Sequence, residues 1–307
     1  MNREYAIIFV GLSTFSFTLY YRLQKRKLYT AEWLTVAYVF ITILYLLVFF
    51  PKVQHRALFF GTRLAVITGI GLLALMSHKW DIPKLDSVRQ FLPFLFVGYW
   101  YSETFYFSEI LFKNKDLFFY SLDERFFGCQ PSLVFSQLMP QAWFSELMYF
   151  GYFSLYLFLF GIPIWFWFRK KVHFDRVVFV LMLSIFLFYC IFDMLPVVGP
   201  QFYFSPKEVC VPDGYFFCWL VRFIQKMGEN PTGSFPSSHV GITTVILLLT
   251  WRNERKLFWS MLPLAIILMF STVYIKAHYL VDVMGGIVSA FVFYWISNRM
   301  YNRMNSE

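Results

Sequence analysis

The feature that most limits how this chain can fold is the recurrence of apolar runs about as long as a bilayer is thick. A helix rises about 1.5 Å per residue, so roughly 20 apolar residues cross a hydrocarbon core of about 30 Å. Such runs cover about 5–21, 31–50, 57–77, 91–108, 143–168, 176–195, 239–251, 257–275 and 281–298. Backbone polar groups in hydrocarbon must be satisfied within their own segment, so the runs predict an all-α, polytopic transmembrane helical bundle. Only 15% of the residues are charged and 59% are hydrophobic, whereas soluble domains carry about 25% charge. The first run has only Arg3 before it and no small-residue cleavage site after it, so it is expected to stay as a helix.

The formal charge of +9 is not spread over a nucleic-acid-binding face, and no nucleic-acid partner is expected. It is concentrated in short turns between runs, the pattern of topology signals and headgroup contacts. Arg22, Lys25, Arg26 and Lys27 follow the first run; a cytoplasmic position for them puts the N-terminus outside. Alternation then places Arg169–Lys171 with Arg176, the turn Arg252–Lys256, and the tail with Arg299 and Arg303 inside. Lys52 and Arg56 are the exception. On this topology loop 196–238 and segment 276–282 face the periplasm or a lumen. The run 239–251 is short for a crossing. Segment 109–142 is too polar to span and too aromatic for a free loop, so it reads as an interfacial or re-entrant element over the outer face.

Four cysteines are present. Cys190 sits in a run as core filling. Cys210 and Cys218 share the outer loop, where an oxidising compartment favours a disulfide, with Cys129 as a competing partner. No Cys-x-x-Cys or His-rich spacing is found, so neither metal nor other cofactor is expected.

Two polar islands interrupt this apolar background: Gly-Ser-Phe-Pro-Ser-Ser-His at 233–239 and the stretch from Ser271 to Asp282. The runs between them read as a helical hairpin turning at 252–256, which returns the chain to the face it left. His239 and His278 therefore lie at the same face, and Asp282 is one helical turn from His278. A single interfacial histidine is usually just a satisfied polar residue. Two facing histidines, one beside a carboxylate, make a nucleophile and a general acid.

Pro236-Ser237-Ser238-His239 resembles the second signature motif of the type 2 phosphatidic acid phosphatase superfamily, with Ser in place of Gly. Ser271-Thr272, five residues, His278, three residues and Asp282 resembles the third, with Thr in place of Arg. The first motif, Lys followed six residues later by Arg-Pro, is absent; Asp193–Pro200 stands in its place. The form of the third motif, the following Met284-Gly285-Gly286 and the stretch Asp123–Gly128 resemble the inositol phosphorylceramide synthase branch.

The resemblance implies a six-helix catalytic core over 91–307, carrying the interfacial segment 109–142, preceded by about three accessory transmembrane helices in 1–90. It implies that His278 attacks phosphorus to give a phosphohistidine, that Asp282 holds its ring, and that His239 protonates the departing oxygen. Ser237, Ser238 and the backbone N–H groups they open would hold phosphate oxygens. Lys276 and Arg125 are the chosen replacements for the missing basic clamps, ahead of Lys207, Arg222 and Lys226. Arg63, Glu103, Glu146 and Asp193 are costly at membrane depth. They read as interhelical pairs, with Glu103 and Glu146 as the alternative lining of an inositol pocket. The implied activity is transfer of a phosphoinositol-type head group to a ceramide-like lipid. The alternatives are a lipid-phosphate or prenyl-pyrophosphate phosphatase and a catalytically inactive scaffold. Lipids are the expected partners throughout.

Overall fold

The computed structural model describes residues 28–80, 83–108 and 110–304, and the first apolar run, about 5–21, lies outside them. All regular structure among the described residues is helical, and six helices are long and apolar enough to cross a membrane. The chain divides into two compact units, one up to Leu95 and one from Phe96.

The first unit holds α1 (Thr30–Val48), α2 (Arg56–Trp80) and α3 (Pro83–Leu95), each packed on the other two. Its buried charges find polar partners, as apolar surroundings require. Arg89 grips Glu32 through two bonds, Nε to Oε1 at 2.9 Å and a terminal nitrogen to Oε2 at 2.8 Å, with both side chains buried. Arg63 donates to Thr42 Oγ1 at 3.0 Å.

The second unit begins with α4 (Val97–Ser108), so the run 91–108 is not one helix. Pro93 and Gly98 flank the interruption at Phe96; proline removes a ladder hydrogen bond and glycine is a weak helix former. Then follow α5 (Asp116–Phe127), α6 (Pro131–Leu138), α7 (Ala142–Arg169), α8 (Lys171–Met194) and the single turn α9 (Pro200–Tyr203). The chain continues through α10 (Phe216–Gly228), α11 (Ser238–Asn253), α12 (Arg255–Tyr274) and α13 (Leu280–Met304).

The hub is α11, which packs against α7, α8, α12 and α13. No side chain from Ser238 to Thr250 is exposed. Its 16 residues fall short of a lipid-facing span, but a helix walled by protein need not meet that requirement. Close approach of α13 depends on Gly286, where an added Cβ would lie 2.5 Å from the Ser237 carbonyl oxygen.

The described part of the predicted interfacial segment, 110–141, folds into α5 and α6, which pack on α13 and α12 respectively. Two buried carboxylates on α5 hold backbone in place. Asp116 accepts from the N–H groups of Val198 and Gly199, both at 2.8 Å, and from Tyr279 OH at 3.2 Å. Asp123 accepts from Leu280 N at 2.9 Å and Val281 N at 3.0 Å, the opening residues of α13, where a carboxylate complements the helix dipole.

Glu146 serves α10 in the same way, accepting from the N–H groups of Tyr215 and Phe217 at 2.6 Å and Cys218 at 3.2 Å. It acts as a helix cap for α10. Helix α10 is amphipathic: Phe216, Trp219, Phe223 and Met227 are exposed along one stripe, while Cys218 and Val221 are buried. The four cysteines are free thiols, so neither the Cys210–Cys218 bridge nor its Cys129 alternative is formed.

Candidate active site

The N-terminus of α11 meets the link between α12 and α13. Ser237 is the N-cap: its Oγ accepts from Val240 N at 3.4 Å, and its own N–H donates to Asp282 O at 3.0 Å. That bond fastens the start of α11 to the start of α13 and brings the rings of His239 and His278 to 5.7 Å between centroids, inclined at 61°.

His278 is held firmly. Its Nδ1 lies 2.8 Å from the Ser234 carbonyl oxygen, so Nδ1–H donates there and Nε2 keeps the lone pair. Asp282 Oδ2 is 3.7 Å from Nδ1, an ion-pair distance rather than a hydrogen bond. The carboxylate works through an intermediary: Oδ2 accepts from Ser234 Oγ at 2.6 Å and from Tyr279 N at 2.9 Å. Ser234 thus ties the carboxylate to the imidazole, a role that helical spacing alone assigned to Asp282 directly.

His239 is held differently. Its ring stacks on Tyr152, centroids 4.3 Å apart, and neither ring nitrogen has a hydrogen-bond partner among the described residues. Buried polar atoms are rarely left so, and here both nitrogens are free to exchange a proton with an incoming group.

The two histidines share a cavity of ≈ 10 Å³, room for about one water. Its wall includes Tyr101, Tyr152, Gln201, Glu229, Ser234 and Ser238, and among the described residues no lysine or arginine lines it. Among the described residues Glu229, half-buried, is the one carboxylate in that wall. It accepts from Tyr152 OH at 3.3 Å, and the nearby Gln201 and Gln225 amides favour its ionised form. Desolvation pushes its carboxyl above the usual range, with Gln201 the leading opposing influence.

The expected phosphate clamps are elsewhere. Lys276 has a left-handed backbone (φ 65°) and is fully buried. Its Nζ donates to Ser136 Oγ at 2.8 Å and Ser132 O at 3.1 Å on α6, away from the cavity, and burial lowers its pKa to about 8. Residues two apart do not share a face, and the left-handed turn separates Lys276 from His278 further. Arg125 is exposed near the end of α5, and Lys207 and Lys226 are exposed as well. Arg222 is engaged by Asp213 at 2.5 Å and Val211 O at 2.9 Å. The structure therefore brings together His239, His278, Asp282, Ser237 and Ser238, and leaves Lys276 and Arg125 outside.

Residues 118–296, more than half of the chain, match the sequence pattern of the family described as the PAP2 superfamily. The chain belongs to the PAP2 superfamily. No curated protein and no solved structure gives a match. PAP2 proteins are phosphatases or phosphotransferases, and the matched stretch runs from α5 into α13, so it contains the whole cavity wall except Tyr101. Sequence reading missed Ser234, although it lies in the first polar island. It also missed Gln201, Tyr152 and Glu229, which no motif spacing connects to the histidines.

Proposed function

We propose that this PAP2 protein is a lipid phosphotransferase that moves a phosphoinositol-type head group to the hydroxyl of a ceramide-like lipid. The observation that carries this reading is the charge of the cavity: two histidines, one carboxylate and no lysine or arginine in its wall among the described residues. A terminal phosphate monoester brings up to two negative charges and needs cationic partners. A phosphodiester brings one charge, which the backbone N–H groups at the α11 N-terminus can meet.

In the proposed cycle His278 Nε2 attacks phosphorus; an N–P bond forms while the bond to the donor's glycerol oxygen breaks. His239, protonated beside the bound anionic head group, gives that oxygen its proton. The acceptor hydroxyl then loses its proton to His239, its oxygen attacks phosphorus, and the N–P bond breaks. His239 is returned to its starting form, and no metal is called for. Asp282, acting through Ser234, holds His278 in one tautomer and stabilises the positive charge on its phosphorylated ring. The basic turns support an outer-face site, periplasmic or lumenal.

The test is purified protein in detergent with labelled phosphatidylinositol, with and without ceramide. The expected result is a new inositol-phosphorylated lipid that requires ceramide and disappears in His278→Ala. Release of inorganic phosphate from phosphatidic acid or a prenyl pyrophosphate, without transfer, would replace this reading by the phosphatase one.

A further inference from the structure

We propose that Glu229 is a specificity-determining residue, accepting a hydrogen bond from a hydroxyl of an uncharged polyol head group and disfavouring substrates with a second negative charge on phosphorus. The inference rests on the phosphodiester reading above and names the group that enforces it.

Glu229 closes α10, standing at its C-cap. The outward stripe of α10 carries Phe216, Trp219, Phe223 and Met227, the make-up of a helix lying at the headgroup level of a membrane. Glu229 and Gln201 keep partial exposure, while Ser234 and His278 deeper in the wall are buried. The pair therefore sits where the cavity meets its surroundings. The enclosed space holds about one water, so a head group has to rest on this rim while its phosphorus reaches the histidines.

The hydrogen-bond inventory points the same way. A carboxylate offers about four acceptor positions. Tyr152 OH fills one of them, while the neighbouring amides engage each other, Gln225 Nε2 donating to Gln201 Oε1 at 3.4 Å. Acceptor positions are left for a ligand hydroxyl. Among the described residues no lysine or arginine lines the cavity to neutralise Glu229, so its charge is felt by any phosphate brought to His278. A unit charge several ångströms away in a partly desolvated site changes binding by about tenfold or more. A purely structural role, tying α10 to Tyr152 on α7, would be served equally by a neutral amide.

The experiment measures kcat/KM for phosphatidylinositol and for phosphatidic acid in wild type, Glu229→Gln and Glu229→Asp, with orthovanadate inhibition of each. Thermal midpoints identify variants that fail to fold. In Glu229→Gln, use of phosphatidic acid relative to phosphatidylinositol should rise about tenfold or more, with tighter vanadate inhibition. Because the raised carboxyl ionises as pH increases, wild-type discrimination against the monoester should grow with pH and the Glu229→Gln profile should be flatter. Glu229→Asp should keep discrimination and lose phosphatidylinositol turnover. Parallel loss on both substrates, or an unmoved ratio, would overturn the assignment. A changed ratio in a protein that transfers nothing to ceramide would remove the transferase reading and leave Glu229 its role.

Discussion

The two walls of the cavity are built on opposite plans. On one, His278 is fixed by Ser234 O, and the Asp282 carboxylate behind it is itself held by Ser234 Oγ and Tyr279 N. On the other, His239 has only a ring face against Tyr152, and both nitrogens are unpartnered among the described residues. The first suits an atom that must form a bond along one line, which demands orientation. The second suits an atom that must meet two different oxygens in turn, releasing a proton to one and taking it from the other. Rigidity and freedom have been assigned to different histidines.

This contrast breaks most sharply with a substrate whose leaving group needs no proton, such as a nitrophenyl phosphodiester. His278→Ala should lose about 10⁴-fold or more on every substrate. His239→Ala should lose about 10²–10⁴-fold on the natural lipid and far less in release of nitrophenolate. Burst kinetics check this: a surviving burst with slow turnover is expected for His239→Ala, and equal loss of burst in both variants would erase the division of labour. A smaller effect sharpens the first wall. Ser234→Ala removes the hydroxyl to Asp282 but keeps the carbonyl to His278, so kcat should fall about tenfold with KM nearly constant. An unchanged kcat would mean that Asp282 acts without the hydroxyl.

The smallest effect concerns the scaffold beneath. Burial raises the Asp123 carboxyl to about 6 from an ordinary 3.8. The folded protein therefore binds this proton more tightly than the unfolded chain does. Its contribution is full below about pH 4 and is lost as pH rises through about 6. Thermal midpoints measured from pH 5 to 7 should fall more steeply in wild type than in Asp123→Asn, by an amount set by this one group.

Much of this was legible in the residues, for reasons that differ by element. Helices α1, α2, α7, α8, α12 and α13 follow from apolar run length, because hydrocarbon leaves the backbone little choice. The meeting of His239 with His278 follows from a hairpin, which is a statement about chain direction and needs no side-chain detail. Lys276 shows where that logic ends. It is two residues from His278, yet a left-handed turn at its own position sends it to α6. Glu229 was invisible for the complementary reason: it reaches the site through the end of α10, with no periodic spacing to announce it. The short run 239–251 read as the weakest crossing because run length measures contact with lipid, and α11 has almost none.

That last feature has a consequence for how the enzyme samples its membrane. A helix bordered by lipid must match the thickness of the hydrocarbon layer or tilt, stretch or thin its surroundings. Helix α11 is relieved of that matching by the four helices around it. The depth at which His239 sits below the headgroups is then a dimension of the protein, and thin and thick bilayers would present their lipids to a catalytic floor at the same level.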